Sequence, residues 1–302
     1  MDVAAAPRPR TAKRWHPLVI TISILRLGGI GINTRFWVSI GLLGAIVVFG
    51  LLGPTLLGKR DPLRIVGGLY DPPSSQVWLG TDNFGRDVFT QLMYGTRTSL
   101  TIGLIAGAVA TLIGVAVGTL AGFRGGTIEE ALMGITNVVI TIPSIVILIL
   151  LSIAIASRSI VVMGVIIGIT SWPWTARAVR AQTASLRARE HLDLARLSGA
   201  GTVSLILVDI IPYMLSYIFM AFVLQFASGI LQEAALSLLG LGPTNTISLG
   251  IMLHWSLLWE AVRTGAWWAF FPPTVFLTII AFALLLLQSS LDELFNPRLR
   301  RK

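Results

Sequence analysis

The stretch Arg187-Ala188-Arg189-Glu190-His191-Leu192-Asp193-Leu194-Ala195-Arg196-Leu197-Ser198-Gly199 is a polar island between two long apolar segments, closed further on by Ile210-Ile211-Pro212. A charged helix that ends at a glycine and hangs between two membrane-grade helices suits a peg on which a soluble partner can pull. Outside this stretch the sequence carries almost no reactive chemistry, so the peg sets the reading of the whole chain.

Composition gives the peg its setting. Of 302 residues, 54% are hydrophobic and only 12% charged, with a mean hydropathy of +0.81. A soluble domain carries about 25% charged residues, so roughly half the usual charge is missing. Helices facing hydrocarbon are the simplest cause, because lipid solvates apolar side chains and penalises ions. The length fits one membrane domain and leaves no room for a separate globular enzyme.

A bilayer core of about 30 Å needs roughly 20 apolar residues per helix. Six stretches qualify: Phe36–Leu57, Leu100–Phe123, Leu132–Ala156, Ile160–Thr175, Val203–Leu231 and Trp267–Leu291. The fourth is short and is expected to extend past Trp174 towards Arg180. The fold class is therefore an all-α polytopic membrane protein. Residues 1–35 read as an N-terminal tail with an interfacial or elbow helix over His16–Ile32, which holds Arg26; residues 36–291 are the transmembrane domain and 292–302 a C-terminal tail.

Net charge is +9, and its placement excludes nucleic acid as the partner. Arg8, Arg10, Lys13, Arg14, Arg26 and Arg35 precede the first span; Arg177, Arg180, Arg187, Arg189 and Arg196 cluster around the island; Arg298, Arg300, Arg301 and Lys302 end the sequence. With six spans these three regions share one side, the cytoplasmic one by the positive-inside rule. Segments Gly58–Ser99 and Leu241–Ala266 then face outward. No aromatic residues interleave with the basic ones in the way that stacks bases.

Inside the spans, Gly103, Gly107, Gly114, Gly118 and Gly122 repeat at spacings of four and seven and line one helical stripe, a pattern that lets backbones approach closely in lipid. Packing within this subunit is the plainer reading; a sliding surface between subunits is the alternative. Pro143, Pro173, Pro212 and the pair Pro272-Pro273 each remove a backbone donor and bend their helices. Trp172 and Trp174 read as the aromatic belt at one interface, and Trp255, Trp259, Trp267 and Trp268 as the belt at the other; stacking on a substrate is a second reading.

Catalytic and metal-binding constellations are thin. Cysteine is absent, and His16, His191 and His254 share no ligand spacing. Gly53-Pro-Thr-Leu-Leu-Gly58-Lys59-Arg60 resembles a phosphate-binding loop, but Arg60 stands where Ser or Thr should hold magnesium, and the stretch ends an apolar helix instead of following a strand. The chain is expected to bind no cofactor. Asp209 and Glu233 are ionisable groups within the fifth span and its outer end, and as such are candidate gating groups. Pairing of Asp209 with a nearby arginine, and hydration or capping of Glu233 at the outer boundary, are the structural alternatives. No second acid at mid-depth completes a proton relay, which argues against a proton-driven carrier; a channel or carrier working alone is the rival class.

Several motifs together resemble one family. Leu79-Gly-Thr-Asp-Asn-Phe-Gly-Arg-Asp87, Tyr94-Gly-Thr-Arg-Thr-Ser-Leu100, Ala121-Gly-Phe-Arg-Gly-Gly126, Trp174-Thr-Ala-Arg-Ala-Val-Arg180, Glu233-Ala-Ala-Leu-Ser-Leu-Leu-Gly-Leu-Gly242 and Asn296-Pro-Arg-Leu-Arg300 follow in order through nearly everything after residue 35. They are similar to the second permease subunit of oligopeptide/dipeptide-type ABC importers. The resemblance implies a type I importer transmembrane domain whose coupling helix, over residues 187–200, docks in a groove of an ATPase. The residues that fall on it are Arg189, Glu190, Asp193, Leu194, Ala195, Arg196, Leu197, Gly199 and Ala200, with Ile211 and Pro212 after them. It also implies a homologous permease as the other half of the pore, two cytoplasmic ATPase subunits that bind ATP and Mg, an extracytoplasmic substrate-binding protein, and a prokaryotic cell membrane with both termini cytoplasmic. Relatives handle peptides, oligosaccharides or nickel complexes, and peptides are the commonest. Asp193 stands where Glu is usual, Leu194 where Ala is usual, Gly134 and Asn137 where Arg and Asp are common, and Gln288-Ser289-Ser290 replaces a Gly-Asp turn.

Overall fold

The computed structural model describes residues 34–295 apart from Leu57, Lys59 and Ala156. The expected interfacial helix over His16–Ile32 lies outside the described residues. Among the described residues the fold is all-helical: α1 Thr34–Leu56, α2 Val88–Arg124, α3 Gly126–Thr141, α4 Ser144–Ala154, α5 Ile160–Arg187, the short α6 Glu190–Leu197, α7 Thr202–Leu238, α8 Leu249–Leu258 and α9 Trp267–Phe295. Five of these are long and apolar enough to cross a membrane, and α3 with α4 makes a sixth if the bent pair counts as one span.

The spans begin and end where local chemistry places the caps. Asp87 starts α2 by accepting hydrogen bonds from the Phe89 and Thr90 backbone N–H groups, and Gly125 ends it at φ +69°, a conformation open to glycine. Ser159 caps α5 through the Val162 N–H. Two expected spans are therefore longer than their apolar cores: α2 takes in Val88–Ser99, expected to lie outside, and α5 runs to Arg187. The last helix likewise continues past Leu291 to Phe295.

The third expected span is not one rod. It bends by 85° between α3 and α4, because Pro143 follows an extended Ile142 and offers no N–H to continue the ladder. In α7, residues Leu205–Ile210 form a π-helical turn in which the Ile211 N–H reaches back to the Ile206 carbonyl. Pro212 next to it accounts for the widening, since its ring cannot tolerate an ordinary carbonyl one turn back.

α2 is the central rod. α5 and α7 pack along it, and α1 and α9 close the remaining side. One core cluster joins α1, α2, α7, α8 and α9 around Leu92, Ile230, Leu249 and Ile280; a second joins α2, α4 and α5 around Ile102, Leu148 and Ile167. Arg35 of α1 pairs with Glu293 of α9 at 3.1 Å, and Arg180 of α5 with Glu129 of α3 at 3.1 Å.

At the end of the bundle away from α6, residues 60–87 fold into a cap. Two isolated antiparallel bridges, Ile65 with Arg86 and Thr81 with Asp87, hold it. Asp82 accepts from the Phe84 and Arg86 N–H groups and from Gln91 Nε2 of α2. A Cβ on Gly85 would lie 2.3 Å from the Gly67 carbonyl oxygen, so this turn of the Leu79–Asp87 motif has no room for a side chain at Gly85. Trp255 and Trp259 pack on Phe84, and Trp268 Nε1 donates to the Thr81 carbonyl. These tryptophans bind the cap together, which a belt assignment alone did not foresee.

Candidate functional site

Three features concentrate the polar chemistry: the knob formed by α6, a buried carboxyl group in α7, and the glycine seam of α2. The knob is closed by a Schellman motif. Gly199 takes φ +84°; its N–H donates to the Arg196 carbonyl at 2.9 Å and the Ala200 N–H to the Ala195 carbonyl at 3.1 Å, so the last carbonyls of the helix are satisfied. Glu190 and Asp193 occupy the first turn and Arg196 the last, the order favoured by the helix dipole.

The knob has two faces. Leu192 is fully buried in a cluster with Leu186, Leu205, Ile210 and Met214, and Ala195 and Ala200 pack beside it. Leu194 and Leu197, by contrast, are 65% and 86% exposed. Arg196 turns back on its own chain, pairing with Asp193 at 3.0 Å and lying over the Phe123 ring at 5.7 Å; it is thus already engaged and not held out for an acidic partner. Arg189 sits at the start of the helix with Glu190 after it, both exposed. Leu192, the anchor, was missed in the sequence because eight residues are too few for periodicity to separate inward from outward leucines. His191 was missed as well: its ring lies 5.2 Å from that of Tyr213 in α7, and its Nε2 is buried without a hydrogen-bond partner.

Glu233 is fully buried, which overturns hydration at the outer boundary. Its Oε2 accepts from Ser99 of α2 at 2.9 Å, and its Oε1 from Ser237 and from Ser248 at 2.6 Å each. Ser99 in turn accepts from the Leu249 N–H, and Ser248, the N-cap of α8, from the Ile251 N–H. The positive end of α8 is thereby relayed through two hydroxyls onto one carboxyl group. Asp209 lies in the π-helical turn, half-buried, and forms no ion pair among the described residues; the expected arginine partner is not there.

The five glycines divide between two neighbours. A Cβ on Gly103 or Gly107 would collide with Ile230 or Phe226 of α7, and one on Gly114, Gly118 or Gly122 would come within 2.5 Å of Thr175, Ala176 or Arg180 of α5. Gly164 and Gly168 of α5 and Gly229 of α7 answer them from the other side, each within 3 Å of an α2 side chain if given a Cβ. This reciprocity was invisible in the sequence, since it pairs residues far apart in the chain.

No group of three or more His, Cys, Asp or Glu is gathered in a metal-binding arrangement among the described residues. A bundle of spanning helices, one of them broken, with a protruding amphipathic knob defines a multi-pass membrane protein. The chain belongs to the family described as binding-protein-dependent transport system inner membrane component, whose sequence profile matches residues 114–301. The dipeptide transport system permease protein DppC of Bacillus subtilis (strain 168) is 34% identical over 257 residues, covering 85% of this chain and 79% of that protein. A putative peptide transport system permease protein of Brucella abortus biovar 1 (strain 9-941) is 32% identical over 272 residues, with 89% of each covered. The oligopeptide transport system permease protein OppC of Bacillus subtilis (strain 168) is 34% identical over 231 residues, covering 76% of this chain and 74% of that one.

Proposed function

We propose that this chain forms half of the membrane pathway of an ATP-driven importer for dipeptides or oligopeptides, and that cytoplasmic ATPase subunits move it through α6. The observation that carries the reading is the two-faced knob: Leu192 locks it into the bundle while Leu194 and Leu197 stand out. Apolar side chains of that size exposed on a protruding helix are the usual footprint of a docking partner. The descriptions of the relatives as dipeptide, oligopeptide and peptide permeases support peptides as cargo.

In this reading α6 and both termini face the cytoplasm, and the cap over residues 60–87 faces outward beneath a substrate-binding protein. A homologous permease completes the pore, and residues 36–291 are the unit that spans the bilayer. ATP and Mg are bound by the two ATPase subunits. Their closure pulls on α6, and the pull shifts α5 and α7 as rigid bodies between two arrangements of the path. Glu233 ties α2, α7 and α8 into one outer block, and Asp209 sits where the π-helical turn gives α7 a weak point; both are gating groups on this view.

The test is the double variant Leu194→Glu with Leu197→Glu, made in the assembled complex. Loss of ATPase copurification and of peptide uptake, with the permease pair still intact, is the expected result. Undiminished uptake would remove α6 from the docking role.

A further inference from the structure

Two clefts open between α5 and α7. The one nearer α6 has a volume of about 650 Å³ and is lined by Gln182, Tyr213, Tyr217 and Gln288 among others. The second, of about 310 Å³, lies at the α3–α4 break and is lined by Pro143, Ser171, Ser228 and Gln232. Trp174 and Gln225 line both, so the clefts meet at this pair.

The meeting point lies beside the uncharged stretch of α2, one turn of α5 before Arg177. Thr175, next to Trp174, packs against Gly114 of α2. Gly114 lies about 25 Å along the helix from Arg97 and about 15 Å from Arg124, at 1.5 Å per residue, and no charged residue falls between those arginines. Trp172 and Trp174 read as an interfacial belt in the sequence, whereas α5 continues unbroken for thirteen residues beyond Trp174, to Arg187. Polar groups at this depth face protein or a water-filled path, yet Trp174 is 67% exposed beside a column of amides and hydroxyls. Gln225 Nε2 donates to the Ser171 carbonyl at 3.0 Å and to Thr175 Oγ1 at 2.8 Å, while its Oε1 takes part in none of the hydrogen bonds. Gln232 Nε2 donates to Ser171 Oγ and Ser228 Oγ. The Arg177 guanidinium lies 6.0 Å from the Trp174 ring and donates to Asn137 Oδ1 at 2.7 Å. The smaller cleft is lined by no charged side chain.

We propose that Trp174 and Gln225, with Gln232 behind them, form a contact site for the main chain of an extended peptide in transit through the membrane. A carboxamide both donates and accepts in the geometry of a peptide group, so it pairs with any sequence. The indole offers an apolar face to whichever side chain or peptide plane passes. The smaller cleft has no charged side chain in its own lining and the larger one only Asp292, while Arg177 beside Trp174 is engaged by Asn137, so a charged peptide meets few fixed counter-charges and holding stays weak enough for release. A lipid chain in the same place would leave Gln225 Oε1 and Trp174 facing hydrocarbon without gain. This inference rests on the peptide reading above.

The experiment reconstitutes the complete importer in vesicles and follows uptake of tri-alanine and of its Lys- and Glu-containing variants. Trp174→Ala should slow all three by about fivefold, Trp174→Phe should keep most of the rate, and Gln225→Glu should favour the Lys peptide over the Glu peptide, with ATPase stimulation by the binding protein preserved throughout. Unchanged uptake in Trp174→Ala and Gln225→Leu, with the wild type active, overturns the site. A photoreactive side chain at position 174 that labels only the companion permease, and never peptide, overturns it too, because a helix then fills the cleft. A wild-type complex that moves none of these peptides refutes the peptide reading itself.

Discussion

Ser248 Oγ lies 2.6 Å from Glu233 Oε1, so the residue that caps α8 is hydrogen-bonded to a buried acid in α7. Ser99 reaches the other oxygen of the same carboxyl group from α2. Two consecutive helices, α7 and α8, are thus tied to the sequence-distant α2 at one point inside the bundle.

Removing that point should be costly. Glu233→Ala leaves three buried hydroxyls without their acceptor, and each unsatisfied group costs about 1–3 kcal/mol. Thermal unfolding of the purified protein in detergent should fall sharply for Glu233→Ala and less for Glu233→Gln, which keeps one acceptor oxygen. Equal melting temperatures for all three proteins would mean that the node contributes nothing to stability.

The glycine seam makes a second contrast. A Cβ on Gly118 would lie 2.5 Å from the Ala176 carbonyl oxygen and 2.8 Å from Val179 Cβ, whereas one on Gly134 would meet nothing within 4 Å. Gly118→Val should therefore overpack the α2–α5 contact by about 1–3 kcal/mol or more. Gly134→Ala should stabilise α3 by about 0.5–1 kcal/mol through helix propensity. The two shifts in melting temperature should have opposite signs.

Gly199 isolates the backbone term. At φ +84° a side chain is strained, yet a Cβ there would touch nothing in this chain. Gly199→Ala should cost about 1–2 kcal/mol, and Gly199→Asn less, because asparagine tolerates the left-handed region. If uptake falls much further than stability in Gly199→Asn, the added atoms are meeting a partner.

The spanning architecture was legible because hydrocarbon imposes a length and a composition on every crossing helix: α1, α2, α5, α7 and α9 all declare themselves that way. The knob was legible as charge amid apolar sequence, and Gly199 as its terminator. Bends and depths were not. The run from Leu132 to Ala156 stays apolar through Pro143, so hydropathy treats a sharp corner as a straight rod. α5 hid its length because Arg177 and Arg180 look like a boundary, although Asn137 and Glu129 of α3 receive them. α8 was too short to register as a helix, and of the partners of Glu233 Ser237 is one turn away on the same helix while Ser99 comes from α2, brought near only by folding. Leu192 and Leu194 differ in burial, not in kind, and sequence sees only the kind.

The ring of His191 rests on the ring of Tyr213, and Tyr213 is part of the wall of the larger cleft. The protruding knob therefore reaches the cavity wall through this tilted ring pair, beside the apolar contacts that Leu192 makes with Ile210 and Met214. On the docking reading proposed above, a tilt of the short helix would press on the cavity wall through this contact as well as along the chain.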